Sequence, residues 1–137
     1  MSELHAAPLA GGRIGSPDAS FVVVEWRDPG GGDDPPRYIA PLHVHHADDE
    51  AWYVLEGSLR VRVGERDVDV PAGGAVLVPR GTPHTYWNPG AAPTRYLLVM
   101  TTRIEQLIDA LHALPDRDRP TMEAVFQAHD STYLGWP

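Results

Sequence analysis

A chain of 137 residues, 42% of them hydrophobic, can fill one hydrophobic core and not two, so residues 1–137 read as a single domain. Its formal net charge of −8 disfavours phosphate backbones and anionic lipid surfaces, both of which call for clustered cations, and sets aside nucleic acid and membrane as partners. Without cysteine or lysine it has no disulfide, no thiolate ligand or nucleophile, and no side-chain amine for Schiff-base chemistry.

The first residues lack a basic stretch followed by an apolar one, and no run approaches the about 18 apolar residues of a membrane span, which predicts a cytoplasmic protein. Residues 1–18, with Gly11-Gly12, Gly15 and Ser16-Pro17, predict an extended arm docked on the domain. Phe21 to Trp26 is β-branched and aromatic, hence a strand, and its near-continuous apolar character predicts burial on both faces. The Gly- and Pro-rich stretch 28–36 excludes helix and central strand and reads as an exposed, inert connection rather than a lid. From Tyr38 to Thr101 short apolar runs alternate with Gly, Pro and Asn, the pattern of an all-β barrel or sandwich whose core spans about residues 20–101.

Chemistry concentrates in the first of these runs. His43 and His45 are two apart, so a strand puts both imidazoles on one face, whereas a helix would separate them by about 200°. Glu50 follows a short polar turn and opens a strand on which Glu50, Trp52 and Val54 share a face. His46 points the opposite way and is expected to be exposed or hydrogen-bonded, not a ligand. Next, Ser58–Val63 and Arg66–Val70 flank Gly64-Glu65 as a hairpin, with Arg60 and Arg62 facing Asp67 and Asp69 in exposed structural pairs. Pro79 to Asn88 then delivers His84 after a Pro/Gly turn, again into a β-prone run, with Tyr86 and Asn88 at the same parity.

After the apolar strand ending at Met100 the period changes. Ile104, Leu107, Ile108, Leu111 and Leu114 recur at three and four residues, an amphipathic helix closed by Pro115. A second helix is predicted over 121–129 with Thr121 or a neighbour as cap. This short C-terminal helical hairpin, within about 103–130, is expected to bury its stripe on the outside of the barrel or on a partner chain.

Three imidazoles and one carboxylate, His43, His45, His84 and Glu50, suit one divalent transition metal per chain: Fe(II) first, then Mn(II), Ni(II) or Zn(II). The two segments resemble the two signature motifs of the cupins. His43, His45, Glu50 and Gly57 meet the first, whose leading Gly is replaced by Arg37; Gly73, Pro79, Gly81, His84 and Asn88 meet the second in full. The resemblance covers about residues 37–100. It implies a double-stranded β-helix, or jelly-roll, barrel with the four donors as metal ligands. Strand parity nominates Trp52, Val54, Tyr86 and Asn88 as lining of a substrate pocket, and Arg37 as a partner for a substrate carboxylate at its mouth.

The resemblance further implies a metal-dependent oxygenase, dioxygenase-like, acting on a small aromatic, diketone or keto-acid substrate, with Glu50 as ligand and proton acceptor. The alternatives are a non-redox polyketide cyclase, isomerase or lyase using the metal as Lewis acid, and a non-enzymatic small-molecule-binding module. The exposed apolar strand, the helical stripe and the habit of the family predict a homodimer.

Overall fold

Valine, leucine and aromatic residues at alternate positions need a covered face, and two sheets facing each other supply it. The computed structural model describes residues 3–137. Its first sheet holds β1 (Arg13–Ile14), β2 (Phe21–Asp28), β4 (Glu50–Glu56), β7 (Ala75–Val78) and β9 (Thr94–Thr101), in the order β1-β2-β9-β4-β7. The second holds β3 (Leu42–His45), β5 (Ser58–Val63), β6 (Arg66–Pro71), β8 (His84–Trp87) and β10 (Ser131–Gly135), in the order β10-β3-β8-β5-β6. All named pairings are antiparallel, and the chain passes repeatedly between the sheets, as in a jelly roll.

Val22, Trp52, Val54, Leu59, Val61, Val78, Leu98 and Met100 fill the space between the sheets, each 2% exposed or less. Each such side chain contributes roughly 1.5–3 kcal/mol by leaving water. The expected burial of both faces of β2 is corrected. Val22 and Val24 face the core, but on the other face Phe21 is 60% exposed and Val23 is only half-buried. The N-terminal arm docks as expected from residue 3 onward: β1 extends the sheet against β2, and Arg13 binds Glu105 at 2.6 Å.

The β5–β6 hairpin has the anticipated register, Arg60 opposite Asp69 and Arg62 opposite Asp67, each pair hydrogen-bonded. The connection after β2 is tied down. Asp33 accepts from Trp87 Nε1 at 2.8 Å and from Arg60 at 2.6 Å, and the amides of Gly31 and Gly32 reach the Gly90 carbonyl. Gly57, the last residue of the first motif, requires glycine: φ is +80°, and a Cβ there would meet the Pro93 carbonyl at 2.6 Å.

Helix α1 (Thr102–His112) starts where β9 ends, capped by the Thr101 hydroxyl, which accepts from the Ile104 amide. Helix α2 (Arg119–Gln127) is capped by Asp118 rather than Thr121, with Pro120 in its first turn, where the missing N–H costs nothing. The apolar stripe of α1 falls as predicted, but its location does not. Leu107 joins Met122 and Phe126 of α2 and Tyr133 of β10 in a second core. Ile104 packs into the barrel core itself, so the hairpin closes over the barrel instead of lying on its outer wall. Strand β10 is an addition to the expected fold: after the helices the chain returns to the second sheet and pairs with β3.

Candidate metal centre

His43 and His84 are direct cross-strand neighbours on β3 and β8, and the two-residue period brings His45 onto the same inward face. Glu50 enters from the opposite sheet at the start of β4. The four donor atoms lie within 4.8 Å of one another, and all four residues are buried. The turn before β8 is locked to the site, since the Gly81 amide donates to the His45 carbonyl at 2.7 Å. The four predicted ligands are therefore brought together.

The hydrogen bonds around the rings define their tautomers. His43 Nδ1 lies 2.6 Å from the Pro41 carbonyl and His84 Nδ1 lies 3.0 Å from the Thr82 carbonyl. A carbonyl can only accept, so both Nδ1 atoms carry a proton, and Nε2 is the ring atom each turns toward the cluster. His45 Nε2 has no hydrogen-bond partner and stands 3.6 Å from Glu50 Oε1, which is also 3.1 Å from His84 Nε2. Three imidazole nitrogens and a carboxylate oxygen thus converge on one buried point. That donor set fits a divalent cation with borderline nitrogen ligands.

Burial, followed by the neighbouring His84 and His45 imidazoles, pushes His43 from 6.5 down to about 3, Glu50 opposing. For Glu50, burial works to raise the pKa, but the His45 and His84 contacts outweigh it and hold the carboxylate ionised well below its ordinary range. Both shifts have the same sign for folding. In the native state His43 stays neutral and Glu50 charged, while the unfolded chain takes up protons first as pH falls. In chelator-treated protein, stability is expected to be complete above pH 6.5 and to fall as pH drops toward 3, on the order of 1 kcal/mol per pH unit. Thermal unfolding across that window checks it; a flat melting temperature would contradict it.

A cavity of about 220 Å³ opens against this cluster. His43, His45 and Glu50 form its inner wall with Tyr86 and Tyr96, while Trp26, Leu98, Ile104, Leu107, Met122 and Phe126 contribute apolar surface. The Tyr86 and Tyr96 hydroxyls are 3.0 Å apart, and burial raises the pKa of both, so both stay neutral hydrogen-bonding groups.

Of the predicted pocket residues only Tyr86 lines the cavity. Trp52 and Val54 do face inward, but the barrel interior at their level is filled. Trp52 packs against the His84 and Tyr86 rings, and Val54 is wholly buried in the core. Asn88 lies just past the end of β8 and spends its amide on a turn, donating to the Ala92 carbonyl and accepting from the Gly90 amide. Arg37 lies outside the strands, exposed, and donates to the Gly30 carbonyl, so the parity that linked it to His43 does not apply. His46 is exposed and its Nε2 meets the Thr132 hydroxyl at 2.7 Å, as expected of a non-ligand. The cavity wall from α1 and α2 and the Tyr96 hydroxyl were not anticipated, although the helical stripe was visible in the sequence.

Two facing antiparallel sheets with three imidazoles and one carboxylate at a single inward point define a jelly-roll protein with a candidate metal centre. The Cupin domain model matches residues 29–100, more than half of the chain and inclusive of all four donors, and the chain belongs to this family. It is 32% identical over 65 residues to mannose-1-phosphate guanylyltransferase RfbM of Salmonella typhimurium, a match that covers 47% of this chain but only 13% of that protein. Among solved structures it is similar to TT1209 from Thermus thermophilus, at 30% identity and TM-score 0.51, over 59% of this chain and 71% of the other. It is also similar to a sugar phosphate isomerase from a cupin superfamily of Silicibacter pomeroyi, at 25% identity and TM-score 0.52, over 61% and 51% of the two chains.

Proposed function

We propose that the protein is a metal-dependent enzyme of the oxygenase kind, acting on a compact, largely apolar organic molecule such as a small aromatic, diketone or keto acid. The observation that carries this reading is the position of the four-donor cluster at the inner wall of a cavity of about 220 Å³ whose remaining surface is mostly apolar. A bound divalent transition metal would supply oxygen activation if redox-active, as Fe(II) is, and Lewis acidity if inert, as Zn(II) is.

The chain's own groups have definable tasks. The apolar faces of α1 and α2 exclude water from the reacting end of the substrate. Glu50, held ionised among imidazoles, is placed to accept a substrate proton. Of the paired neutral Tyr86 and Tyr96 hydroxyls, the one whose proton is not used between them can donate to a substrate oxygen. A second reading, a Lewis-acid isomerase, cyclase or lyase, draws support from the similarity to the Silicibacter pomeroyi protein, described as a sugar phosphate isomerase.

The test loads the apoprotein separately with Fe(II), Mn(II), Ni(II) and Zn(II) and follows oxygen uptake together with product from phenolic, diketone and keto-acid substrates. An oxygenase consumes O2 with Fe(II) and is silent with Zn(II). Anaerobic turnover with Zn(II) would replace it by the second reading. Glu50→Gln is expected to retain much of the metal and lose turnover, since it removes the charge and the proton-accepting ability.

We further propose a homodimer through the uncovered face of the first sheet. The cross-strand row Val23, Val99, Ala51 and Leu77 places apolar side chains side by side on four strands, flanked by exposed Phe21 and Tyr53. Sedimentation is expected to give about twice 15.0 kDa at micromolar protein; a monomer mass would overturn the pairing. Among the described residues no helix is long and apolar enough to cross a membrane.

A further inference from the structure

The three imidazoles of the centre are held in two different ways. His43 and His84 each give Nδ1–H to a carbonyl two residues earlier in the chain, so each carries its own support. His45 does not. Its Nδ1 lies 2.8 Å from the hydroxyl of Ser131, 86 positions away on β10, in the residue directly opposite it across the β10–β3 ladder.

The polarity of that contact follows from what lies behind it. The Ser131 hydroxyl is 3.1 Å from the His129 carbonyl, and the residue is 2% exposed. A hydroxyl has one proton, and the carbonyl can only accept, so the proton goes to His129 O and the oxygen lone pairs face His45. The ring must then carry its proton on Nδ1. The opposite nitrogen is left bare, and it is one of the buried side-chain atoms without a hydrogen-bond partner among the described residues.

We propose that Ser131 is a positioning residue for the metal centre: its hydroxyl, oriented by the His129 carbonyl, fixes the tautomer and ring plane of His45 so that Nε2 is presented as a ligand. The proposal rests on the reading of the four donors as a metal site. It also assigns a role to the C-terminal segment beyond closing the cavity. The turn between α2 and β10 holds His129, and Phe126 of the same helix packs on the His43 ring at 5.4 Å, so one segment supports two ligands. Partners of this kind typically change metal affinity by about 10- to 100-fold.

The test compares wild type, Ser131→Ala, Ser131→Thr and Thr132→Ala. Zn(II) and Co(II) dissociation constants come from competition with a chromophoric chelator, and the His45 tautomer in the apoprotein from 15N NMR. Thr132→Ala removes the neighbouring hydroxyl that meets the non-ligand His46, and so reports any loss that comes merely from disturbing β10. Ser131→Ala is expected to weaken both metals about 10- to 100-fold and to release His45 from the Nδ1–H form. Ser131→Thr, which keeps the hydroxyl, and Thr132→Ala are expected to bind like wild type. Equal affinity of Ser131→Ala and wild type, or equal weakening by Thr132→Ala, would overturn the proposal. So would an Nε2–H tautomer of His45 in the wild-type apoprotein, a result that needs no variant to fold. A wild type that binds neither metal yet shows His45 as Nδ1–H would refute the metal reading while leaving the hydrogen-bond assignment standing.

Discussion

Alanine at His43, His45 or His84 is expected to reduce bound metal from about one equivalent per chain to a small fraction in each single variant. The three Nε2 atoms and the Glu50 carboxylate converge on one point from β3, β4 and β8, so no remaining trio reproduces the same geometry once one member is gone. Because the donors come from separate strands and different sheets, metal binds the folded chain far better than the unfolded one. At a hundredfold excess over its dissociation constant the ion adds about 3 kcal/mol to stability. Chelator should therefore lower the melting temperature of wild type and leave that of the three variants nearly unchanged. Full metal content in all three, measured by elemental analysis after gel filtration, would dismiss the site.

Phe126→Ala is expected to cost roughly 3–5 kcal/mol, the largest loss foreseen for a residue outside the ligand set. Its ring is 1% exposed, packs with Leu107, Met122 and Tyr133, and touches the ring of His43. Truncation there enlarges the existing cavity instead of letting the structure collapse, because barrel and helices are each held by other contacts. For a domain of this size the loss corresponds to a fall of about 10–20 °C in melting temperature by circular dichroism. A fall of only a degree or two would mean that α2 does not seal the barrel as described.

The four donors were legible because period-two alternation is a local property. His43 and His45 need only a strand to share a face, and the β5–β6 hairpin needs only its turn to set the register of Arg60 and Arg62 against Asp69 and Asp67. The pocket was less legible, since parity says which side chains point inward and not where the inside is empty. Trp52 and Val54 point inward and are core. Tyr86 points inward at a level left open, and the surface opposite it comes from helices that follow in the chain and whose packing no periodicity locates.

Asn88 and Arg37 failed for a different reason. Both sit outside the strands whose alternation was extended to them, where a side chain answers to its own turn. Strand β10 did leave a signal, since Ser131-Thr132-Tyr133 is β-branched and aromatic. What it could not disclose is its partner. The contact between Ser131 and His45 exists only once the chain has passed through two helices and returned to β3.

The most direct test of the metal centre is a crystal of the metal-loaded protein with anomalous diffraction recorded at the absorption edge of the bound ion. The structure predicts one strong peak per chain, bonded at about 2.0–2.2 Å to Nε2 of His43, His45 and His84 and to a carboxylate oxygen of Glu50. A peak bonded through Nδ1 atoms, or one lying away from these four residues while they remain packed on one another, would contradict it.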